Sequence, residues 1–185
     1  MSLYFIRHGE SIANREGFLA GQLDVAITEM GIAQARAAAD ELNANDIKID
    51  KIISSPLSRA YDTAKCVAEI IDYSIEDILL DADLMERNMG FLQGESVSKL
   101  SALDGMNEDE QRAKGVETES MLEERVSKVL SRLTPYSEEN ILIVSHNGFG
   151  RRLAGVIHGV NFRKIKKIPN AEVIRLMDSS LLIED

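Results

Sequence analysis

Basic side chains stand out in three short motifs of this sequence. Arg7 and His8 lie side by side near the N-terminus, Arg59 closes a run of small and polar residues, and His146 begins a His-Asn-Gly motif. Cationic side chains that converge in a fold need an anion between them, and a phosphate group matches the planar fork of an arginine. If the chain brings these four residues together, they predict a phosphate-binding site.

Each of the three motifs follows a short apolar segment with the character of a buried strand. These segments are residues 2–6, 50–54 and 140–145. In a parallel α/β sheet the C-terminal ends of the strands share one edge, and ligands bind at that edge. The spacing therefore predicts that all four basic residues meet at one place, and that helices beginning there point backbone N–H groups at the anion.

Helical and strand-like patterns alternate along the rest of the chain. Thr28 is placed to cap a first helix, and Pro56 is expected in the first turn of a second. Apolar spacing predicts helices at residues 31–42, 57–71 and 149–158. It also predicts two further strands, at residues 172–177 and 181–183. This alternation predicts an α/β fold, a three-layer α/β/α sandwich with a mostly parallel central sheet.

The chain is acidic as a whole, with 185 residues, a net charge of −10 and an isoelectric point near 4.9. Its negative field repels nucleic-acid backbones and anionic lipid surfaces, which disfavours both as partners. The same field repels a phosphorylated metabolite, so such a substrate requires a local basic pocket. Because no run approaches 18 apolar residues and no basic leader is present, we expect a cytoplasmic protein.

Cysteine chemistry contributes little to this sequence. Cys66 is the single cysteine, which excludes a disulfide framework, and no cysteine cluster with the spacing of zinc ligands occurs. Its apolar neighbours Ala64, Val67 and Ala68 predict a buried, structural thiol.

The motifs together resemble a known family. The run Arg7-His8-Gly9-Glu10-Ser11, with Asn14 six residues after His8, is similar to the signature of the phosphoglycerate mutase-like branch of the histidine phosphatase superfamily. The resemblance covers nearly the whole chain, through Phe18, Gly21, Asp24, Thr28, Gly31 and Gln34-Ala35, then Ser54-Ser55-Pro56-Leu57-Ser58-Arg59-Ala60 with Thr63-Ala64, then Leu84-Met85-Glu86-Arg87 with Gly90-Phe91 and Gly94, and finally Ser145-His146-Asn147-Gly148. It implies a phosphoglycerate mutase-like fold.

The resemblance also implies a role for individual residues. His8 would attack phosphorus in line and form a phosphohistidine. Arg7, Arg59 and His146 would hold the non-bridging oxygens, work that Mg²⁺ does elsewhere, so neither a metal nor a cofactor is expected. Glu86 would protonate the leaving oxygen and then activate the incoming water. Further candidates for substrate contact are Asn14, Gly21, Arg87, Asn147 and Gly148.

Departures from the family pattern favour hydrolysis. Mutases of this family follow the catalytic glutamate with Arg, His and Tyr, and supply a lysine and an arginine pair for the substrate's other anionic groups. Here Asn88 and Met89 follow Arg87, and Val97 stands where the lysine is expected. A site without these groups should admit water, so we expect a phosphomonoesterase. A cofactor-dependent phosphoglycerate mutase is the alternative, and a non-catalytic regulatory or binding module of the same fold is the third.

The substrate, a small phosphorylated metabolite, has no recognisable binding motif. We expect its specificity to come from residues 18–23 and 90–119. Within one domain spanning residues 1–185, the polar and acidic stretch 93–119 is expected to form a partly helical insertion or lid over the active side. The sequence leaves a homodimer open.

Overall fold

The computed structural model describes residues 2–178 and residue 183. Its strands and α-helices are, in chain order, β1 (Ser2–Arg7), α1 (Ile12–Glu16), α2 (Glu29–Ala44), β2 (Lys51–Ser54), α3 (Ser58–Ile70), β3 (Leu79–Leu80), α4 (Glu108–Ala113), α5 (Glu119–Leu133), β4 (Asn140–Ser145), α6 (Asn147–His158) and β5 (Val173–Arg175). Short 3-10 helices lie at Ile75–Asp77, Ala82–Leu84, Gly90–Leu92, Val97–Leu103, Thr134–Tyr136 and Phe162–Lys164.

The five strands form one sheet in the order β3-β2-β4-β1-β5. Strands β1 and β2 both pair in parallel with β4, and β3 pairs in parallel with β2. Strand β5 runs antiparallel to β1 at the opposite edge. The C-terminal ends of β1, β2 and β4 are therefore neighbours at one edge of the sheet.

Alternation along the two central strands divides the core into two layers. Leu3 and Phe5 of β1 join a cluster with α5 and α6, whereas Tyr4 and Ile6 join a cluster with α2 and α3. This follows from the period of two in a strand, which sends successive side chains to opposite faces. Both faces of the sheet are thus covered, as the predicted three-layer sandwich requires. Each fully buried aliphatic side chain contributes about 1.5–3 kcal/mol by its removal from water.

The element boundaries confirm most of the predicted pattern and correct parts of it. Pro56 lies before helix α3 rather than in its first turn, because Leu57 is the N-cap and Ser58 the first helical residue. Helix α6 begins two residues earlier than predicted, at Asn147. Of the expected strand 181–183, only Ile183 lies among the described residues, where it forms an isolated antiparallel bridge with Ile165.

The segment 93–119 contains the 3-10 helix Val97–Leu103 and helix α4, and is partly helical as predicted. Isolated antiparallel bridges join Ser96 to Phe18 and Val116 to Met89. These contacts attach the segment to the two loops that flank the predicted site.

Cys66 is half-buried in helix α3, so it is more exposed than predicted. Burial raises the pKa of its thiol, with the nearby Glu69 carboxylate acting in the same direction. No helix among residues 2–178 is long and apolar enough to cross a membrane.

Close backbone contact holds the loop after β1 against the start of α2. A Cβ atom on Gly9 would collide with the backbone of Gly31, and one on Gly31 would collide with the backbone of Glu10. The backbone N–H of Thr28 donates to the Glu10 carbonyl at 2.8 Å, and the Glu10 N–H donates to the Gln34 side chain at 2.8 Å. Two glycines are therefore required where this loop meets the helix.

We predict that Gly31→Ala lowers the free energy of unfolding by about 1–3 kcal/mol, because the added methyl group has no room against the backbone. Urea titration followed by circular dichroism measures this loss. Met30→Ala, at the neighbouring exposed position, is the control and should change it by less than about 0.5 kcal/mol. Equal stability of the Gly31→Ala and wild-type proteins would contradict the close contact.

Candidate active site

The ends of the parallel strands bring the predicted basic residues together. Arg7 ends β1 and His8 follows it, while His146 follows the end of β4. The backbone N–H of His8 donates to the Ser145 carbonyl at 2.9 Å, which extends the pairing of the two strands by one residue. As a result the rings of His8 and His146 lie 5.1 Å apart between centroids. Arg59 reaches the same place from the first turn of α3.

A cavity of about 410 Å³ opens at this edge of the sheet. Every residue predicted for the site lines it except His146, which is fully buried behind it. The predicted residues in its wall are Arg7, His8, Asn14, Gly21, Arg59, Glu86, Arg87, Asn147 and Gly148. Its volume suits a small metabolite.

In the His8 ring, Nδ1 is hydrogen-bonded to the protein and Nε2, among the described residues, is not. Nδ1 lies 2.7 Å from the carbonyl oxygen of Gly9. Because a carbonyl can only accept, Nδ1 must carry the proton, and Nε2 of the neutral ring then keeps its lone pair. Burial lowers the pKa of His8 well below its usual value, and the charges of Arg59 and Arg7 lower it further. The side chain is therefore neutral, with a nucleophilic nitrogen, at physiological pH.

His146 is hydrogen-bonded through Nε2, whereas His8 is hydrogen-bonded through Nδ1. Its Nε2 lies 2.9 Å from the hydroxyl of Ser55, which itself accepts the N–H of Leu57 at 3.3 Å. When the Ser55 hydroxyl donates its proton to Nε2, the neutral ring carries its own proton on Nδ1. That Nδ1 is buried without a hydrogen-bond partner. Burial also lowers the pKa of His146 well below its usual value, with Arg59 the next largest cause.

The two arginines are held by backbone carbonyls rather than by carboxylates. Arg7 Nη1 donates to Ile168 O at 2.8 Å. Arg59 donates from Nη2 to Gly21 O at 2.8 Å and from Nη1 to Leu23 O at 2.9 Å. Burial lowers the pKa of both guanidiniums, and the charge of Glu86 opposes this effect. The Nε atoms of Arg7 and Arg59 are buried without partners.

Glu86 occupies the N-terminus of helix α6. Its Oε2 accepts the N–H of Gly148 at 3.0 Å, and its Oε1 accepts those of Phe149 at 3.1 Å and Arg87 at 2.9 Å. A carboxylate at a helix N-terminus is favourable because of the orphan N–H groups and the helix dipole. Two amides of α6 that were expected to face an anionic ligand are therefore bound to Glu86 instead, and that part of the prediction is wrong for this structure.

The remaining predicted residues line the cavity but also hold its walls together. Asn14 Oδ1 accepts the N–H and hydroxyl of Ser11, at 3.2 and 3.1 Å, and so takes part in the capping of α1. Asn147 Oδ1 accepts the N–H of Ile168 at 3.0 Å. Gly21 has a positive φ of 52° and is packed against the Gln93 side chain.

Arg87 connects the cavity to the segment 93–119. Its Nε donates to the Glu117 carbonyl at 2.7 Å, and its Nη2 donates to the Gln111 side chain at 3.0 Å. Burial lowers the pKa of this guanidinium, an effect that the charges of nearby glutamates oppose. Arg87 thus anchors part of the insertion in addition to lining the cavity.

Several cavity residues were not predicted as site residues from the sequence. The segments expected to set specificity contribute an apolar wall, formed by Phe18, Leu19, Ala20, Val97 and Leu100. Two cations also line the cavity, Arg151 from α6 and Lys167 from the chain beyond it. Arg125 of α5 was also missed, although it binds the backbone that carries Glu86. Its hydrogen bond to the Met85 carbonyl joins residues that are 40 positions apart, so no pattern in the sequence indicates it. Within residues 2–178 and 183, no group of three His, Cys, Asp or Glu side chains could hold a metal ion.

Comparison with known proteins finds relatives across nearly the whole chain. Residues 3–177 match the model of the histidine phosphatase superfamily, branch 1. Phosphoglycerate mutase-like protein 4 from Arabidopsis thaliana is 33% identical over 184 residues, covering 94% of this chain and 78% of that protein. A 2,3-bisphosphoglycerate-dependent phosphoglycerate mutase from Bacteroides fragilis is 28% identical over 209 residues, covering 94% and 81%.

Among solved structures, a mycobacterial glucosyl-3-phosphoglycerate phosphatase complexed with VO3 is similar in fold. Its TM-score is 0.77 at 25% sequence identity, and the match covers 93% of this chain and 90% of that one.

The two buried histidines predict a pH-dependent stability. Below about pH 6.5 the histidines of the unfolded chain take up protons, whereas His8 and His146 in the folded chain do not because their pKa values are depressed. The unfolded state then binds more protons, so the free energy of unfolding falls as the pH decreases from 6.5. The slope should reach about 1.4 kcal/mol per pH unit for each histidine.

Urea unfolding at pH 7, 6 and 5 in a buffer free of phosphate measures this slope. His8→Asn should reduce it by the share of one histidine. A slope in His8→Asn equal to that of the wild-type protein would contradict the depressed pKa of His8.

Proposed function

Because the chain belongs to branch 1 of the histidine phosphatase superfamily, we propose that it hydrolyses a small phosphate monoester through a phosphohistidine on His8. One observation carries this proposal. The buried nitrogens Arg7 Nε, Arg59 Nε and His146 Nδ1 have no hydrogen-bond partner in the described part of the chain, and these residues lie at the same edge of the sheet as His8, whose Nε2 keeps a free lone pair. Buried donors without partners are rare and costly, and a phosphoryl group would satisfy all three.

In the first step, His8 Nε2 attacks phosphorus and the bond from phosphorus to the ester oxygen breaks. Positive charge develops on the imidazole, and the hydrogen bond from Nδ1–H to the Gly9 carbonyl stabilises that charge. Glu86 enters this step as the carboxylic acid and donates its proton to the departing oxygen, so that an alcohol leaves rather than an alkoxide and Glu86 becomes a carboxylate.

In the second step, water attacks the phosphohistidine and the bond from nitrogen to phosphorus breaks. Glu86 takes the proton of this water, and inorganic phosphate and neutral His8 are released. The guanidiniums of Arg7 and Arg59 stabilise the transferring charge in both steps. Since these fixed cations do what Mg²⁺ does in other phosphoryl-transfer enzymes, the proposed reaction needs no metal ion.

Hydrolysis is preferred to phosphoglycerate mutase activity because of the cavity wall. Val97, which stands at the position of the mutase lysine, lines the cavity together with Leu100 and Phe18. Apolar side chains at these positions cannot hold an anionic group, and the further cations Arg151 and Lys167 lie elsewhere in the cavity, on α6 and beyond it. Conversion of 3-phosphoglycerate to 2-phosphoglycerate faster than phosphate release from any monoester would overturn this choice.

A non-catalytic module of the same fold is the remaining candidate. A site with Arg7, His8, Arg59, Glu86 and His146 all at the cavity argues against it, because each group has a chemical use. Absence of phosphatase activity across a broad substrate panel, together with no labelling by a reactive phosphodonor, would favour it.

We predict that His8→Ala abolishes both turnover and covalent labelling, because no other group can form the phosphohistidine. Phosphate release from a metabolite panel and acid-labile incorporation of ³²P measure the two effects. Excess EDTA should leave wild-type activity intact. Strict dependence on added Mg²⁺, or a label that survives in His8→Ala, would contradict the proposed mechanism.

We predict that Glu86→Gln slows turnover in proportion to how poor the leaving group is. An alkyl phosphate should lose about 10²–10⁴-fold in kcat/KM, whereas para-nitrophenyl phosphate, whose leaving group needs little protonation, should lose much less. Steady-state kinetics with both substrates measures the difference. Equal losses would count against Glu86 as the proton donor.

A further inference from the structure

The loop that carries Glu86 has little secondary structure of its own. Residues 85–88, between the 3-10 helix Ala82–Leu84 and the bridge at Met89, form neither helix nor strand. Buried backbone groups outside regular structure must find partners elsewhere. For this loop, an ion pair between Arg125 and Glu117 provides several of them, and Gln22 Nε2 donates to the Glu86 carbonyl at 3.0 Å.

Arg125 of α5 donates hydrogen bonds to the carbonyl groups on the N-terminal side of the loop. Its Nη1 donates to Asp83 O and to Met85 O, each at 2.6 Å. Its Nη2 also lies 3.4 Å from the carbonyl of Glu86 itself. The planar fork of an arginine is suited to several acceptors in fixed directions.

Glu117 completes the arrangement on the other side. Its carboxylate accepts Nε and Nη2 of Arg125, each at 2.8 Å, and its Oε2 also accepts the backbone N–H of Asn88 at 3.0 Å. The backbone N–H of Glu117 in turn donates to the Asn88 carbonyl at 2.9 Å. The Arg125 and Glu117 side chains are only 12% and 10% exposed, so solvent screens this pair little.

The same arginine also touches the residue that binds the Glu86 carboxylate. The guanidinium of Arg125 lies over the ring of Phe149, 5.4 Å from its centroid. The backbone N–H of Phe149 is one of the three donors to that carboxylate. Arg125 is therefore connected to Glu86 at both the backbone and the carboxylate end.

We propose that Arg125 and Glu117 are positioning residues for Glu86, which hold the loop 85–88 so that the carboxyl group can transfer its proton. Neither residue touches the reacting atoms. The inference rests on the proposed function, because it requires Glu86 to be the proton donor and acceptor.

Arg125→Lys tests this role, because an ammonium keeps the charge but cannot serve all of these acceptors at once. We expect kcat/KM to fall about tenfold with an alkyl phosphate and less than about twofold with para-nitrophenyl phosphate. The ratio between the two substrates is the readout, since a misfolded fraction lowers both rates equally. Glu117→Gln should change the ratio in the same direction.

Arg132→Lys is the matched control. Arg132 lies on the same helix, and its ion pairs join it to the side chains of Asp81 and Asp83, which precede the loop 85–88. Its substitution should leave the ratio unchanged. A change in this variant equal to that in Arg125→Lys would overturn the specific role of Arg125.

A double variant separates positioning from a general structural effect. When Glu86→Gln has already removed the proton transfer, adding Arg125→Lys should lower the alkyl phosphate rate by less than about twofold. A further tenfold loss would overturn the proposal, as would equal losses for both substrates in Arg125→Lys alone. If Glu86→Gln itself shows no leaving-group effect, the proposed role of Glu86 and this inference both fail, while hydrolysis through His8 is tested separately by His8→Ala. If Glu86→Gln shows the effect and Arg125→Lys does not, only the inference fails.

Discussion

Burial of positive charge at one edge of the sheet is the constraint on which the rest of the site depends. Arg7, His8, Arg59 and His146 are each at most 6% exposed, although two of them carry a permanent charge. The chain tolerates this in two ways. Both imidazoles are kept neutral by burial and by the neighbouring guanidiniums, and each guanidinium donates to backbone carbonyls. The one carboxylate of the site, Glu86, is the nearby counter-charge.

This arrangement leaves three buried nitrogens of the site without a hydrogen-bond partner among residues 2–178 and 183. The carbonyl partners use the outer nitrogens of Arg7 and Arg59, while their Nε atoms and His146 Nδ1 have no partner. Because Glu86 is already bound by three backbone N–H groups, it does not satisfy these donors. A phosphoryl group, the ligand of the proposed reaction, would supply acceptors for these donors. The local basic residues also offset, at this edge of the sheet, the negative field of a chain whose net charge is −10.

The proton-transfer side of the site depends on elements remote from the strand ends. Helix α5 covers the sheet with its apolar face, yet its Arg125 holds the backbone of the loop that carries Glu86. The insertion supplies the partner of that arginine, Glu117, and two apolar residues of the cavity wall, Val97 and Leu100. The cavity wall and the loop that carries Glu86 are thus connected through the same segment.

The strands, the mostly parallel sheet and the meeting of Arg7, His8, Arg59 and His146 were predictable from the sequence. Strand alternation and motif order are local, and the topology of a parallel sheet places strand ends together whatever the loops do. Glu86 could be selected from 31 acidic residues only through the resemblance to a family. Its binding at the start of α6 was not predicted, and the helix amides were expected to face the ligand.

Contacts decided by tertiary structure alone join residues far apart in the chain. Arg59 and Gly21 are separated by 38 residues, Arg125 and Met85 by 40, and Glu86 and Gly148 by 62. No periodicity links such pairs, because each forms only after loops have folded over the sheet edge and their backbone groups need partners. The sequence by itself therefore determined which groups could hold and attack a phosphate. The tertiary structure decided which of their hydrogen-bond donors are already occupied and which remain free for it.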